Sequence, residues 1–152
     1  MTGVQTCALP ICAAALVAIV EYLNLGKGAN VAEVVATVFT VVVGCTSFSG
    51  SVITFLKLQE LMTTRPVVFP GGRFVIAATL AGVLGTAGWT ISAGGNTPLL
   101  VMAGLSLLFG ILFVLPVGGA DVPIVISLLN AFTGLTVAAS GYVLQEIGRA
   151  HV

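Results

Sequence analysis

Charge is what this sequence has least of. Of its 152 residues, 7% are charged and 58% hydrophobic, and the mean hydropathy is +1.19. Soluble domains carry about 25% charged residues. So few charges cannot cover a water-exposed surface, which excludes a soluble globular domain. The chain must meet lipid or other apolar helices over most of its area. The formal net charge is zero, so the basic stripe that nucleic-acid binding requires is absent. Histidine occurs once and cysteine three times. Glycine, by contrast, is abundant at 19 residues, which fits close helix contacts in a membrane bundle.

The two ends do not continue the pattern between them. The chain opens MTGVQTCALPI and closes EIGRAHV. The closing residues back-translate to DNA containing GATCGGAAGAGCACACGTC, the reverse complement of DNA that encodes the end of the opening stretch. One DNA sequence read in both orientations accounts for both ends, and it resembles a common short-read sequencing adapter. The expected organisation is therefore an adapter-derived segment at 1–12, a membrane segment at 13–145 and a second adapter-derived segment at 146–152. On this reading the native start and stop lie outside the chain, and the insert Ala13–Gln145 is an internal piece of a longer protein. His151 and Cys7 fall in the flanks and Cys12 on the junction, leaving no histidine and one sound cysteine, Cys45. That excludes an internal disulfide and a metal cluster within the insert.

The insert reads as one partial helix, Ala13–Leu23, followed by four membrane spans. Gly and Asn break the chain at Asn24–Asn30. The spans are Val31–Leu56, Phe74–Ser92, Leu99–Leu115 and Val122–Leu144, each long enough or nearly so for a ~30 Å hydrocarbon core. Polar or Gly/Pro-rich segments separate them: Lys57–Arg73, Ala93–Pro98 and Pro116–Asp121. The predicted fold class is an all-α, polytopic transmembrane helix bundle. Lys57, Arg65 and Arg73 cluster in one loop, which the positive-inside rule places in the cytoplasm together with the Pro116–Asp121 turn. Lys27, on the outer side, is offset by Glu21 and Glu33. Ala78 and Gly82, Ala81 and Gly85, and Gly134 and Ala138 are small-residue pairs at helix spacing, candidates for close helix contact or the ordinary Gly and Ala of any membrane helix.

A few polar residues interrupt this background. In GGADVPIVISLLN (118–130), Gly118 and Gly119 form a flexible hinge before Asp121. The Asp121 carboxylate either caps the helix that starts at Val122 or titrates at the mouth of a membrane path. Asn130 lies nine residues on, about 13 Å deeper at 1.5 Å per residue. A buried amide is costly without partners. Ser127, Asn130, Gly134 and Gly141 fall near one helix face, which either lines a chain of waters or glues helices together. Glu33, near the outer end of the first span, is an intramembrane acid or an end residue that snorkels. Thr46, Ser47, Ser49 and Ser51 make VGCTSFSGSV rich in hydroxyls, which either serve a water path or satisfy preceding carbonyls.

Two of these stretches, in this order and at this separation, resemble a known family. GGADVPIVISLLNAFTG is similar to the signature membrane segment of the β subunit of proton-translocating NAD(P) transhydrogenase. GCTSFSGSVITFLKLQ with RPVVFPGGR resembles a second stretch of the same subunit. The resemblance covers essentially all of Ala13–Gln145. It implies part of the membrane domain that translocates protons, coupled to hydride transfer from NADH to NADP+ between soluble nucleotide-binding domains. The implied partners are the lipid membrane, the NADP(H)-binding domain of the same subunit, the NAD(H)-binding α subunit, and a second copy of the whole complex in a homodimer. The implied location is a bacterial inner membrane. NADP(H) and NAD(H) belong to the full complex; no Gly-rich phosphate loop occurs here, so this segment is expected to bind no cofactor or metal and to carry no catalytic residue.

By resemblance, Asp121 corresponds to the family acid in GGAD, at the face that meets the NADP(H)-binding domain. Asn130 corresponds to the family asparagine of the proton path. Gly118, Gly119, Ala120, Pro123, Ser127 and Gly134 match as well. The family's Ser-Tyr-Ser-Gly-Trp after the asparagine is replaced by Ala131, Phe132, Thr133, Gly134 and Leu135. Many members also carry a proton-relay histidine that this sequence lacks; Glu33 either takes that position or pairs with a family glutamate nearby. A transporter or channel bundle with no redox partner, or a purely structural membrane subunit, are the competing classes.

Overall fold

The computed structural model describes residues 2–25, 31–63, 65–68 and 70–150. Every regular element among them is helical: α1 (Thr2–Leu25), α2 (Val31–Leu58), α3 (Gly72–Ala93), α4 (Asn96–Val114) and α5 (Val122–Ala150), with one 3-10 turn at Gly119–Asp121. Four stretches are long and apolar enough to cross a membrane: Val31–Leu58, Gly72–Ala93, Asn96–Val114 and Val122–Ala139. At 1.5 Å per residue even the shortest reaches about 27 Å. The expected helix bundle with four spans and a further helix at its start is what forms. α1 runs unbroken through Cys12 and α5 through Gln145, so backbone structure does not mark the expected ends of the insert. α1 stops at Leu25, as the Asn24–Asn30 break predicts; residues 26–30, with Lys27, and His151 lie outside the described residues.

α2 is the central helix, packed against α1, α4 and α5. Its sequence explains why. Gly44, Cys45, Thr46, Ser47, Ser49, Gly50 and Ser51 are all buried, and side chains this small let several helix backbones come close. One apolar cluster joins α1, α2 and α4 through residues such as Ala18, Val41, Leu99 and Met102. A second joins α4 to α5 through Val114, Val125 and Leu129, with Ile53 of α2 against it. α3 is peripheral: among its described residues only Val83 and Thr90 are buried, and it packs mainly on α4.

The turns follow local chemistry. Glu60 adopts a left-handed conformation (φ 57°), and the Leu61 N–H reaches back to the Leu56 carbonyl at 3.1 Å, closing α2 as a Schellman-type cap does. Gly94 (φ 63°) and Gly95 (φ 108°) make the tight turn from α3 to α4, a backbone that a residue with Cβ resists. Pro116 prevents α4 from continuing. α2, α3, α4 and α5 therefore alternate in direction. The α2 C-terminus, the α3 N-terminus and the Pro116–Asp121 turn meet at one end of the bundle, and Glu33 lies at the other.

Several boundaries depart from the sequence reading: α3 begins at Gly72 and takes in Arg73, and α4 begins at Asn96 rather than Leu99. The departure with most consequence is Lys57, expected as the first residue of a polar loop, which lies inside α2 and is 1% exposed. Its ammonium finds acceptors within the bundle, so the helix carries it inward rather than to water. Of the three basic residues expected in that loop, Arg65 lies in it and Arg73 in the first turn of α3, both exposed.

Candidate functional site

Asp121 ends the 3-10 turn that leads into α5. Its backbone N–H donates to the Gly118 carbonyl at 3.0 Å. The side chain is exposed, and no described residue hydrogen-bonds its carboxylate. Capping of α5 by this carboxylate therefore finds no support in the geometry, whereas accessibility at the end of the bundle does. Gly118 is extended (φ −74°, ψ 158°), so the Gly-Gly segment needs no left-handed backbone at that position.

α5 has two distinct faces. Val122, Val125, Leu129 and Thr136 are buried, a spacing that keeps them on one side of a helix. Ser127, Asn130, Gly134 and Gly141 are exposed. At about 100° per residue, this second set lies roughly 140° around the helix from the first. The common face read from the sequence is real, and it turns away from the other helices of this chain. The Ser127 hydroxyl donates to the Pro123 carbonyl at 3.1 Å, a bond within its own helix. A Cβ at Gly134 would meet nothing within 4 Å.

The hydroxyls of α2 are arranged differently. Thr40, Ser49 and Thr54 donate to carbonyls one turn earlier, at Ala36 (2.8 Å), Cys45 (3.0 Å) and Gly50 (2.8 Å). Thr46 instead crosses to the Ser106 carbonyl of α4, at 3.3 Å. Ser47 is wholly buried, and its Oγ has no partner among the described residues. Of the four hydroxyls singled out in the sequence, Ser49 satisfies its own helix and Thr46 ties α2 to α4; Ser51 is buried beside them. Glu33 is 8% exposed and so does not snorkel to the surface of this chain. It stands 24 residues before Lys57 on the same helix, about 36 Å away along the axis. Ser127 and Asn130 therefore share a face of α5, Asp121 stands in the turn just before that helix, and Glu33 belongs to the far end of the bundle.

Two contacts were not foreseen from sequence. Gly110 of α4 sits where any Cβ would collide with the Ser49 hydroxyl and the Thr46 carbonyl oxygen of α2. The helices approach more closely here than at Gly50 or Gly82. Gly85 and Gly134, from the small-residue pairs, face open space, and Gly82 would meet only Leu105 Cδ1, at 3.5 Å. The signal available was a glycine at a buried position of α4 facing a hydroxyl-rich stretch, but the partner lies about sixty positions away in sequence. The second contact is made by Lys57. Its Nζ donates to the carbonyls of Val114 (3.0 Å), Leu115 (2.7 Å) and Val117 (2.8 Å).

A multi-pass membrane helix bundle, with an exposed acid at one end and an amide part-way along the helix that follows it, is the class of protein this defines. The chain belongs to the NAD(P) transhydrogenase beta subunit family, which it matches over residues 7–148. It is 36% identical to the NAD(P) transhydrogenase subunit beta of Rhodospirillum rubrum over 102 residues, which is 67% of this chain and 22% of that protein. The same subunit from a named strain of that species gives the same values. The chain thus spans about a fifth of the length of these relatives. The family match reaches into both terminal segments read as adapter-derived.

Proposed function

We propose that this segment forms part of the membrane domain of a proton-translocating NAD(P) transhydrogenase. In that role it couples proton passage to hydride transfer from NADH to NADP+ in soluble domains. The observation that carries the reading is the turn and helix 119–130 within a chain of this family: Asp121 exposed at the end of the bundle and Asn130 about 13 Å further on, along α5. An exposed carboxylate there can meet the NADP(H)-binding domain of the same subunit. Asn130 and Ser127 line the path by which a proton reaches it. The polar α5 face, turned outward from this chain, is too costly to leave against lipid. It is covered in the whole protein by further helices or by the second copy of a homodimer. The segment binds no nucleotide itself; NADP(H) and NAD(H) are held elsewhere in the complex with the α subunit, in a bacterial inner membrane.

The same reading assigns Glu33 to the opposite mouth, where its burial fits a relay carboxyl rather than a surface charge. It also keeps residues 13–145 as the membrane segment, with adapter-derived residues at 1–12 and 146–152. The direct test is Asp121→Asn in a full-length β subunit assembled with its α subunit in vesicles. Coupled transhydrogenation is expected to fall roughly tenfold or more, the scale of an ordinary coupling free energy, with membrane assembly intact. Unchanged proton uptake per hydride would contradict the reading and leave a bundle without redox coupling.

A further inference from the structure

Lys57 and Glu33 are the buried charged side chains among the described residues. Charge inside a membrane helix is costly and calls for a specific partner. Among the described residues no carboxylate serves Lys57. The three N–H groups of its ammonium instead meet three carbonyls, at Val114, Leu115 and Val117. These carbonyls bracket Pro116, which has no N–H and ends α4; the Val114 carbonyl also accepts the Val117 N–H at 3.1 Å, so the ammonium adds to a turn that is partly satisfied by its own backbone. A cation is also favoured at a helix C-terminus by the helix dipole.

The Leu115 carbonyl accepts a second bond, from the Val67 N–H at 3.2 Å. One peptide group thus ties together α2, the 65–68 segment and the end of α4. Val117, the last carbonyl Lys57 holds, directly precedes Gly118, and Gly118 accepts the Asp121 N–H at 3.0 Å. A continuous path of hydrogen bonds and backbone therefore runs from α2 through Lys57 to the turn that carries Asp121. We propose that Lys57 is a positioning residue: it holds the Pro116–Asp121 turn by its carbonyls, so that the position of Asp121 follows the packing of α2. This inference rests on the reading of Asp121 as the coupling carboxylate.

The experiment uses a full-length β subunit assembled with its α subunit, on a background free of other cysteines, in detergent. A single cysteine at Ala120, exposed beside Asp121, is reacted with a water-soluble maleimide. A cysteine at Asn96, exposed at the other end of the bundle, is the control. Lys57→Gln, which keeps amide donors but removes the charge, is expected to speed labelling at 120 by about threefold or more through local opening of the turn. Labelling at 96 stays at the wild-type rate. Lys57→Arg restores the rate at 120, and in vesicles without the added cysteines it restores the proton-to-hydride ratio that Lys57→Gln lowers. An unchanged rate at 120, an equal rise at 96, no rescue by arginine, or failure of Lys57→Gln to assemble would each overturn the proposal, the last by making Lys57 a residue of the fold as a whole. If Asp121→Asn leaves the ratio intact while the 120 rate still responds to Lys57, the proposed function fails and the lysine clamp on the turn stands.

Discussion

The apolar windows of α2 and α5 have the same hydropathy, 1.9, yet half of the first is buried within the chain against 22% of the second. α2 fills its interior with glycine and hydroxyl side chains, and three of those hydroxyls, on Thr40, Ser49 and Thr54, bond to their own helix. α5 buries a narrow apolar stripe and turns Ser127, Asn130 and Gly134 outward. A hydroxyl satisfied by the preceding carbonyl needs no other partner, so it suits close packing. The proposed function assigns that outward face of α5 to the proton path. Equal hydropathy thus hides opposite arrangements, one helix packed on most sides as a spine and the other with its polar face outward.

Truncating the spine should cost most. Met102→Ala, at a fully buried α4 position facing α2, is expected to lose about 2–5 kcal/mol of stability. Leu135→Ala, 52% exposed on α5, should lose roughly 1 kcal/mol or less because it removes less buried area. Thermal inactivation of the full-length subunit in detergent compares them, and equal losses would erase the contrast between the helices.

Gly110→Ala comes next. Its Cβ meets the Thr46 backbone of α2 as well as the Ser49 hydroxyl, and the backbone cannot swing aside, so the helices must separate, at a cost of about 1–3 kcal/mol. Gly134→Ala on α5 has open space and should change stability by roughly 0.5 kcal/mol or less. A reversed order would place the close packing on α5.

The hydroxyls of α2 sharpen the point at a smaller scale. Thr46→Val removes the bond to Ser106 and should cost about 0.6 kcal/mol, the typical worth of an interhelical bond in a membrane. Ser47→Ala removes an oxygen that has no partner among the described residues, and stability should hold or rise slightly. Glu33→Gln should leave stability nearly unchanged and impair coupled transhydrogenation; full coupling in that variant would remove Glu33 from the path.

The helices, their spans and the common face of Ser127, Asn130, Gly134 and Gly141 were legible because hydropathy and a 3.6-residue period are local properties. The direction of that face was not, since it depends on which of two stripes finds neighbours, and the stripe of Val122, Val125 and Leu129 does. Lys57 was misread for the same reason. A lysine at the end of an apolar run looks like the start of a loop, and only the fold brings the Val114–Val117 carbonyls, nearly sixty residues away, to its ammonium. Gly110 went unnoticed because small-residue spacing was sought within single helices, whereas the contact pairs glycine on one helix with hydroxyls on another.

The most direct test is Asn130→Ala in the full-length subunit with its α partner, measuring proton uptake per hydride in vesicles alongside stability in detergent. If the outward face of α5 lines the proton path, coupled transhydrogenation falls by roughly tenfold or more while stability drops by about 1 kcal/mol or less. A loss of stability with the proton-to-hydride ratio intact would contradict the account and make Asn130 a contact between helices only.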